Sequence, residues 1–194
     1  MREFRRICVY CGSSDTVDPK YLAAARQVGR LLAERGISVV FGGGRVGLMG
    51  QVADGALEAG GNVYGVIPQK LMGLELGHRG CTELFVVDGM HARKMMMAQL
   101  SDGFMALPGG FGTMEELFEM VTWAQLNYHR KPVGVLNLDG FYDPLLAWVD
   151  RASSEGFVRP LHRGLIASAP TPAGLLTALE GQIIPELSEW LSVP

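Results

Sequence analysis

Cysteine is scarce in this 194-residue chain, at positions 8, 11 and 81 only. Three thiols cannot build a disulfide framework, so a small stapled extracellular scaffold is excluded. Cys8 and Cys11 form a C-x-x-C. On a strand their side chains point to opposite faces, and no second pair exists to complete a zinc site. They read as buried small hydrophobes in a reducing compartment. Lysine is nearly as rare, at Lys20, Lys70, Lys94 and Lys131. A pyridoxal-phosphate decarboxylase needs a Schiff-base lysine and a partner for the pyridine nitrogen, and no such set is recognisable. The net charge is −3 and no run of Lys and Arg is longer than a pair such as Arg5-Arg6, which argues against a nucleic-acid surface. No apolar run reaches the roughly 18 residues of a membrane helix. The run behind the basic N-terminus stops at Gly12, too short for a secretory signal. A cytoplasmic protein without nucleic-acid or membrane partners is expected. There is no cluster with metal-ligand spacing and no Gly-x-Ser-x-Gly elbow, so no metal and no cofactor are expected.

Glycine is abundant instead, with 26 residues, and 48% of the chain is hydrophobic. That length and composition suit one domain, residues 1–194, with a sizeable core. Strands are expected at 6–10, 37–41, 62–67, 84–87, 103–107, 132–138 and 165–167. Helices are expected at 21–34, 47–59, 89–101, 113–127, 142–154 and 172–179. Residues 70–83 show no clear period and read as a loop with a short helix. Strand and helix alternate without repeat or composition break. This predicts an α/β fold, a doubly wound, Rossmann-like and mostly parallel sheet with helices on both faces. Ligands bind such sheets at the carboxyl ends of the strands, near the switch in strand order.

Three small-residue turns fall at that edge: Cys11-Gly12-Ser13-Ser14, Gly42-Gly43-Gly44-Arg45-Val46-Gly47 and Pro108-Gly109-Gly110-Phe111-Gly112-Thr113. The second satisfies G-x-G-x-x-G. A dinucleotide site would also need an acidic residue ending the next strand, where Pro68 and Gln69 stand instead. It reads as a second glycine-rich wall for a mononucleotide. The third lies between an apolar run and an amphipathic one, so its amides and the helix start favour an anion. Thr113 is a good N-cap residue, and Thr113-x-x-Glu116 is a capping-box pattern. Glu115 and Glu119 suit a solvated helix face. Arg93 and Lys94 stand early in a helix, where the dipole disfavours each cation by about 0.3–1 kcal/mol. They call for a counter-anion, either a ligand or, for Arg93, a carboxylate such as Asp88.

The third turn resembles the PGGxGTxxE signature of the Lonely Guy (LOG) family, and Pro108, Gly109, Gly110, Gly112, Thr113 and Glu116 fill all six fixed positions. Met90-His91 with Arg93-Lys94 and Thr122-Trp123-Ala124-Gln125 agree, and the resemblance spans roughly residues 5–180. Members are cytokinin riboside 5′-monophosphate phosphoribohydrolases, often mislabelled "possible lysine decarboxylase". The resemblance implies hydrolysis of the N-glycosidic bond of AMP or an N6-modified AMP, to free purine and ribose 5-phosphate. It implies that Arg93 and Glu116 are catalytic. It implies substrate binding by Ser13, Gly42, Gly43, Gly44, Lys94, Gly109, Gly110, Gly112, Thr113, Glu115 and Thr122. His91 stays outside the set as a packing residue. Glu75, His78, Arg79 and Glu83 lie where the family has a further substrate contact, and none is assigned. The alternative is a non-catalytic nucleotide or cofactor carrier of the same fold, since molybdenum-cofactor carriers resemble the family. The family also implies a homodimer or larger. Phe141, Tyr142, Leu145, Leu146, Trp148 and Trp190 offer apolar surface for it.

Overall fold

The computed structural model describes residues 2–72, 74 and 76–185. Glu75 and Trp190 therefore lie outside the described residues.

The chain forms β1 (Arg6–Tyr10), α1 (Pro19–Glu34), β2 (Ser38–Phe41), α2 (Gly47–Glu58) and β3 (Val63–Pro68). It continues through the short α3 (Gln69–Met72), β4 (Glu83–Val87), α4 (Met90–Leu100), β5 (Gly103–Ala106) and α5 (Phe111–Gln125). It closes with β6 (Val133–Leu136), α6 (Asp143–Ser154), β7 (Ala167–Ala169) and α7 (Pro172–Gly181). The seven strands make one sheet in the order β4-β3-β2-β1-β5-β6-β7, with every neighbouring pair parallel. From β1 the chain winds outward through β2, β3 and β4, then returns to the other side of β1 with β5. The switch point is thus between β1 and β5.

Past Arg6 the central strands β1, β5 and β6 are apolar and buried, as a sheet covered on both faces requires. Alternation along β1 sends Ile7 and Val9 to one face, where α1, α2 and α7 pack through Val28, Leu32, Val52 and Leu175. Cys8 and Tyr10 go to the other, against Met97 of α4, Leu117 and Met120 of α5, and Val149 of α6. Each large side chain buried this way contributes about 1.5–3 kcal/mol. Cys8 and Cys11 stand in different halves of the core, as the parity of their spacing requires. Helices α1 and α2 approach closely because a Cβ at Gly29 would overlap the Val52 carbonyl, and one at Gly55 that of Arg26.

Three differences from the sequence reading matter. Helix α5 begins two residues early, with Gly110 as its N-cap and no side-chain cap. Thr113 therefore sits inside the helix, and no capping box forms with Glu116. The last strand is Ala167–Ala169 rather than 165–167, because a 3₁₀ stretch, Pro160–Leu165, takes up the residues before it. Tyr142 is buried, not surface, and its hydroxyl donates to the Leu107 carbonyl at 2.6 Å. It supports the end of β5 and adds nothing to an exposed apolar face.

Candidate functional site

The carboxyl ends of β1 and β5 carry turns that diverge at the switch point. They are held together at their base. The Gly12 N–H donates to the Pro108 carbonyl at 3.2 Å, and the Leu48 N–H donates to the Gly12 carbonyl at 3.1 Å. The turn after β2 is pinned too. The Gly47 N–H donates to Asp15 Oδ1 at 2.7 Å, with Gly47 at φ +61°, a conformation that favours glycine. The loop after α3 closes the far side, where the Arg45 N–H donates to the Leu76 carbonyl at 2.9 Å and the His78 N–H to that of Gly43 at 2.8 Å. Between these walls lies a cleft of about 680 Å³, within the range of small-molecule sites.

The lining of the cleft is part polar and part apolar. Ser13, Gly110, Gly112, Thr113, Glu115 and Glu116 supply the polar part, with Arg93 reaching in from α4. Met49, Ile67, Leu71, Leu76 and Met90 supply an apolar wall. Among the described residues, nothing accepts from the N–H groups of Phe111, Gly112 and Thr113, the first three of α5. They stand at the positive end of a four-turn helix, the arrangement that attracts an anion.

Arg93 is 9% exposed and Glu116 is 8% exposed. No carboxylate of the described residues lies within ion-pair distance of Arg93, and its Nε is buried without a partner. A buried guanidinium without a hydrogen-bonded anion is costly, so this one is kept for something that enters the cleft. Gly42 makes room for it, since a Cβ there would overlap the guanidinium. Glu116 sits one turn into α5, near Cys8 and Tyr10 of β1 and Cys11 just after it. Burial pushes its carboxyl up to about 7, and the positive field of Arg93 opposes part of that rise. Burial also pushes the Cys8 and Cys11 thiols well up, so they stay protonated and inert.

Most of the sequence-derived residues meet here, and four do not line the cleft. Gly43 and Gly109 shape the walls from behind: Gly43 takes φ +72°, and a Cβ on Gly109 would overlap Thr113 Oγ1. Thr122 is exposed and away from the cleft. Six residues carry it about 240° around the helix axis from Glu116, so nearly two turns of travel does not return to the same face. Lys94 is 5% exposed and turned to α5, where Glu115 and Glu119 hold it, the latter at 3.0 Å. Its counter-anions belong to the protein, and Glu119 is half-buried rather than on a solvated face. The sequence reading passed over the apolar wall and Phe111, which is 96% exposed at the cleft mouth. Phe111 fills the first of the three variable positions of the signature, and only its apolar character between two glycines could have marked it.

A family model described as "Possible lysine decarboxylase" matches residues 49–179. The cytokinin riboside 5′-monophosphate phosphoribohydrolase LOG of Oryza sativa subsp. japonica is 52% identical over 183 residues, covering 94% of this chain and 75% of that protein. A cytokinin riboside 5′-monophosphate phosphoribohydrolase of Arabidopsis thaliana is 50% identical over 189 residues, covering 97% of this chain and 87% of that one. Among solved structures, the molybdenum cofactor binding protein of the phototrophic bacterium Rippkaea orientalis superposes with a TM-score of 0.69 at 26% identity, over 91% of this chain and 95% of its own. The Moco carrier protein of Chlamydomonas reinhardtii reaches 0.66 at 24% identity, over 91% and 95%, and shares the fold. With half of its residues shared across nearly its full length, and all six signature positions gathered at the switch point, this chain belongs to the LOG family.

Proposed function

We propose that the protein hydrolyses the N-glycosidic bond of AMP or of an N6-modified AMP, releasing the free purine and ribose 5-phosphate. One observation carries the reading: two buried, oppositely charged side chains, Arg93 and Glu116, line one cleft beside the uncapped start of α5. The 5′-phosphate rests on the open amides of residues 111–113. The ribose then lies over Glu116, and the base reaches the apolar wall of Met49, Ile67, Leu71, Leu76 and Met90.

The chemistry follows from that pose. The C1′–N9 bond breaks with its electron pair leaving on the base, and positive charge develops on the ribose. The ionised Glu116 stabilises that charge and accepts a proton from the water whose oxygen bonds to C1′. The base takes up a proton from solvent as it leaves. Arg93 remains charged throughout, because a guanidinium does not deprotonate in proteins, and it holds the substrate. A group with its pKa near 7 is well matched to proton transfer at neutral pH.

Two other readings are weaker. None of the four lysines lines the cleft: Lys94 is held by Glu115 and Glu119, Lys20 by Asp139, and Lys131 by the Ala98 carbonyl, while Lys70 is exposed. A Schiff-base decarboxylase finds no lysine in position. A carrier, as the fold of the molybdenum-cofactor proteins suggests, needs a cradle but not a buried carboxylate beside it. The reading extends to a cytoplasmic homodimer. Among the described residues no helix is long and apolar enough to cross a membrane, and Trp148 and Phe157 leave apolar surface free for association. Sedimentation tests the dimer. The activity is tested by incubating the protein with AMP and N6-alkylated AMP and following base and ribose 5-phosphate by chromatography. Both products should appear in equal amounts. No base from any 5′-monophosphate would overturn the assignment.

A further inference from the structure

Arg93 and Lys94 are neighbours on α4, so their side chains leave the helix about 100° apart. One enters the cleft, and the other meets α5. Glu115 and Glu119 are one turn apart on α5, on the face that meets α4, while Glu116 turns into the cleft. Arg93 and Glu116 thus face the ligand, Lys94 and Glu119 join the helices, and Glu115 both meets Lys94 and borders the cleft. Three glutamates within five residues repel one another, and Lys94 is the cation set among them. It is buried, stays an ammonium, and lies between both carboxylates. The second Glu119 oxygen is buried without a partner. Among the described residues, no other hydrogen bond or ion pair ties the start of α4 to α5. Gly89, the N-cap of α4, makes no side-chain cap, and Arg93 has only a weak contact to Met90 Sδ at 3.8 Å.

We infer that Lys94 and Glu119, with Glu115, form an interhelical clamp that positions the Arg93 guanidinium opposite the Glu116 carboxylate, so that Lys94 and Glu119 are positioning residues and not substrate contacts. The inference rests on the proposed reaction for its catalytic consequence, but not for its geometry. A displacement of the guanidinium by about 1 Å is enough to cost about 10²-fold in rate.

The test compares Lys94→Met, Glu119→Gln and the double variant in AMP hydrolysis. Each single change should lower kcat by about 10–100-fold, and the double should be no worse than the weaker single, because both break one clamp. Glu119→Gln is nearly isosteric and carries the test alone if Lys94→Met does not fold. If Lys94 touches substrate instead, Lys94→Met raises KM and Glu119→Gln has wild-type kinetics, which overturns the clamp. Lower melting temperatures with unchanged kcat overturn it as well. A parallel cycle measures AMP affinity by calorimetry in a Glu116→Gln background, where AMP is not consumed. Arg93→Ala and Lys94→Met should weaken AMP by similar factors without adding, whereas independent, additive losses overturn the proposal. That binding cycle decides the clamp even if the wild-type protein releases no purine, an outcome that would count against the proposed reaction alone.

Discussion

The glycine-rich turns after β2 and β5 look alike in sequence and end in opposite states. Both lead from a buried strand into a helix. At α2 the first amides are already occupied: Gly47 donates to Asp15 and Leu48 to the Gly12 carbonyl. At α5 the first three amides meet no acceptor among the described residues. The turn after β2 makes a wall and leaves room for Arg93 beside Gly42, while the turn after β5 presents donors. A glycine-rich motif therefore marks close approach, and an anion site follows only where the amides remain unoccupied.

The most severe test of this contrast acts beside the open terminus. Glu116→Gln should keep the fold and the AMP affinity while kcat falls by at least about 10²-fold. A rate within a few-fold of wild type would remove Glu116 from the catalytic role. The same variant has a signature in stability. The Glu116 carboxyl is pushed up to about 7 in the folded protein from its ordinary 4.5. Below pH 4.5 it is protonated in both states and costs nothing. As pH rises through that interval the unfolded chain ionises first and stability is lost, by about 3 kcal/mol once pH exceeds 7. Glu116→Gln should therefore melt above wild type at pH 8 and together with it at pH 4. Equal pH profiles of the two proteins would contradict a buried, strained carboxylate.

Ligand stabilisation separates the two termini without mutation. AMP at about 100 times its Kd should stabilise the fold by about 2.7 kcal/mol, and adenosine at the same concentration should do far less. Equal shifts would place no phosphate at α5. Smaller still is the effect of a single methyl group. A Cβ on Gly112 meets no atom of the protein, so Gly112→Ala should fold normally, yet it intrudes where a phosphate would sit and should weaken AMP about tenfold in calorimetry. Asp15→Ala removes the acceptor at α2 and should lower stability by about 1 kcal/mol, the usual scale of a lost cap, with AMP affinity unchanged. A tenfold loss of affinity from Asp15→Ala would mean that the α2 terminus also meets the ligand.

Much of the fold was legible because its signals are local. The Arg6–Tyr10 strand, the Gly47 helix start and the alternation of strand and helix came from periodicity and glycine position. The edge at which the turns meet followed from the alternation, whereas the strand order that sets the switch between β1 and β5 is not a local signal. The α5 boundary was misread because Thr113 is a better capping residue than Gly110 in isolation. The chain gives up a side-chain cap there and keeps open amides. Thr122, which the resemblance alone put in the site, stands about 240° around α5 from Glu116. The pairing of Lys94 with Glu119 is a contact between helices 25 positions apart in the chain, and no single-helix pattern carries it. The apolar wall escaped because Met49, Leu71 and Leu76 come from three separate segments and look like ordinary core residues until the loop after β3 folds over.

The Gly12 peptide has a consequence for the time scale of the site. Its N–H is joined to Pro108 of the turn after β5 and its carbonyl to Leu48 at the start of α2, so opening any one of the three turns breaks a bond to another. The mouth of the cleft breathes as a unit or not at all. A nucleotide then meets a cradle that is already formed, binding proceeds with little loss of chain entropy, and the Leu48 amide should exchange its hydrogen with solvent only as fast as the whole edge of the sheet comes apart.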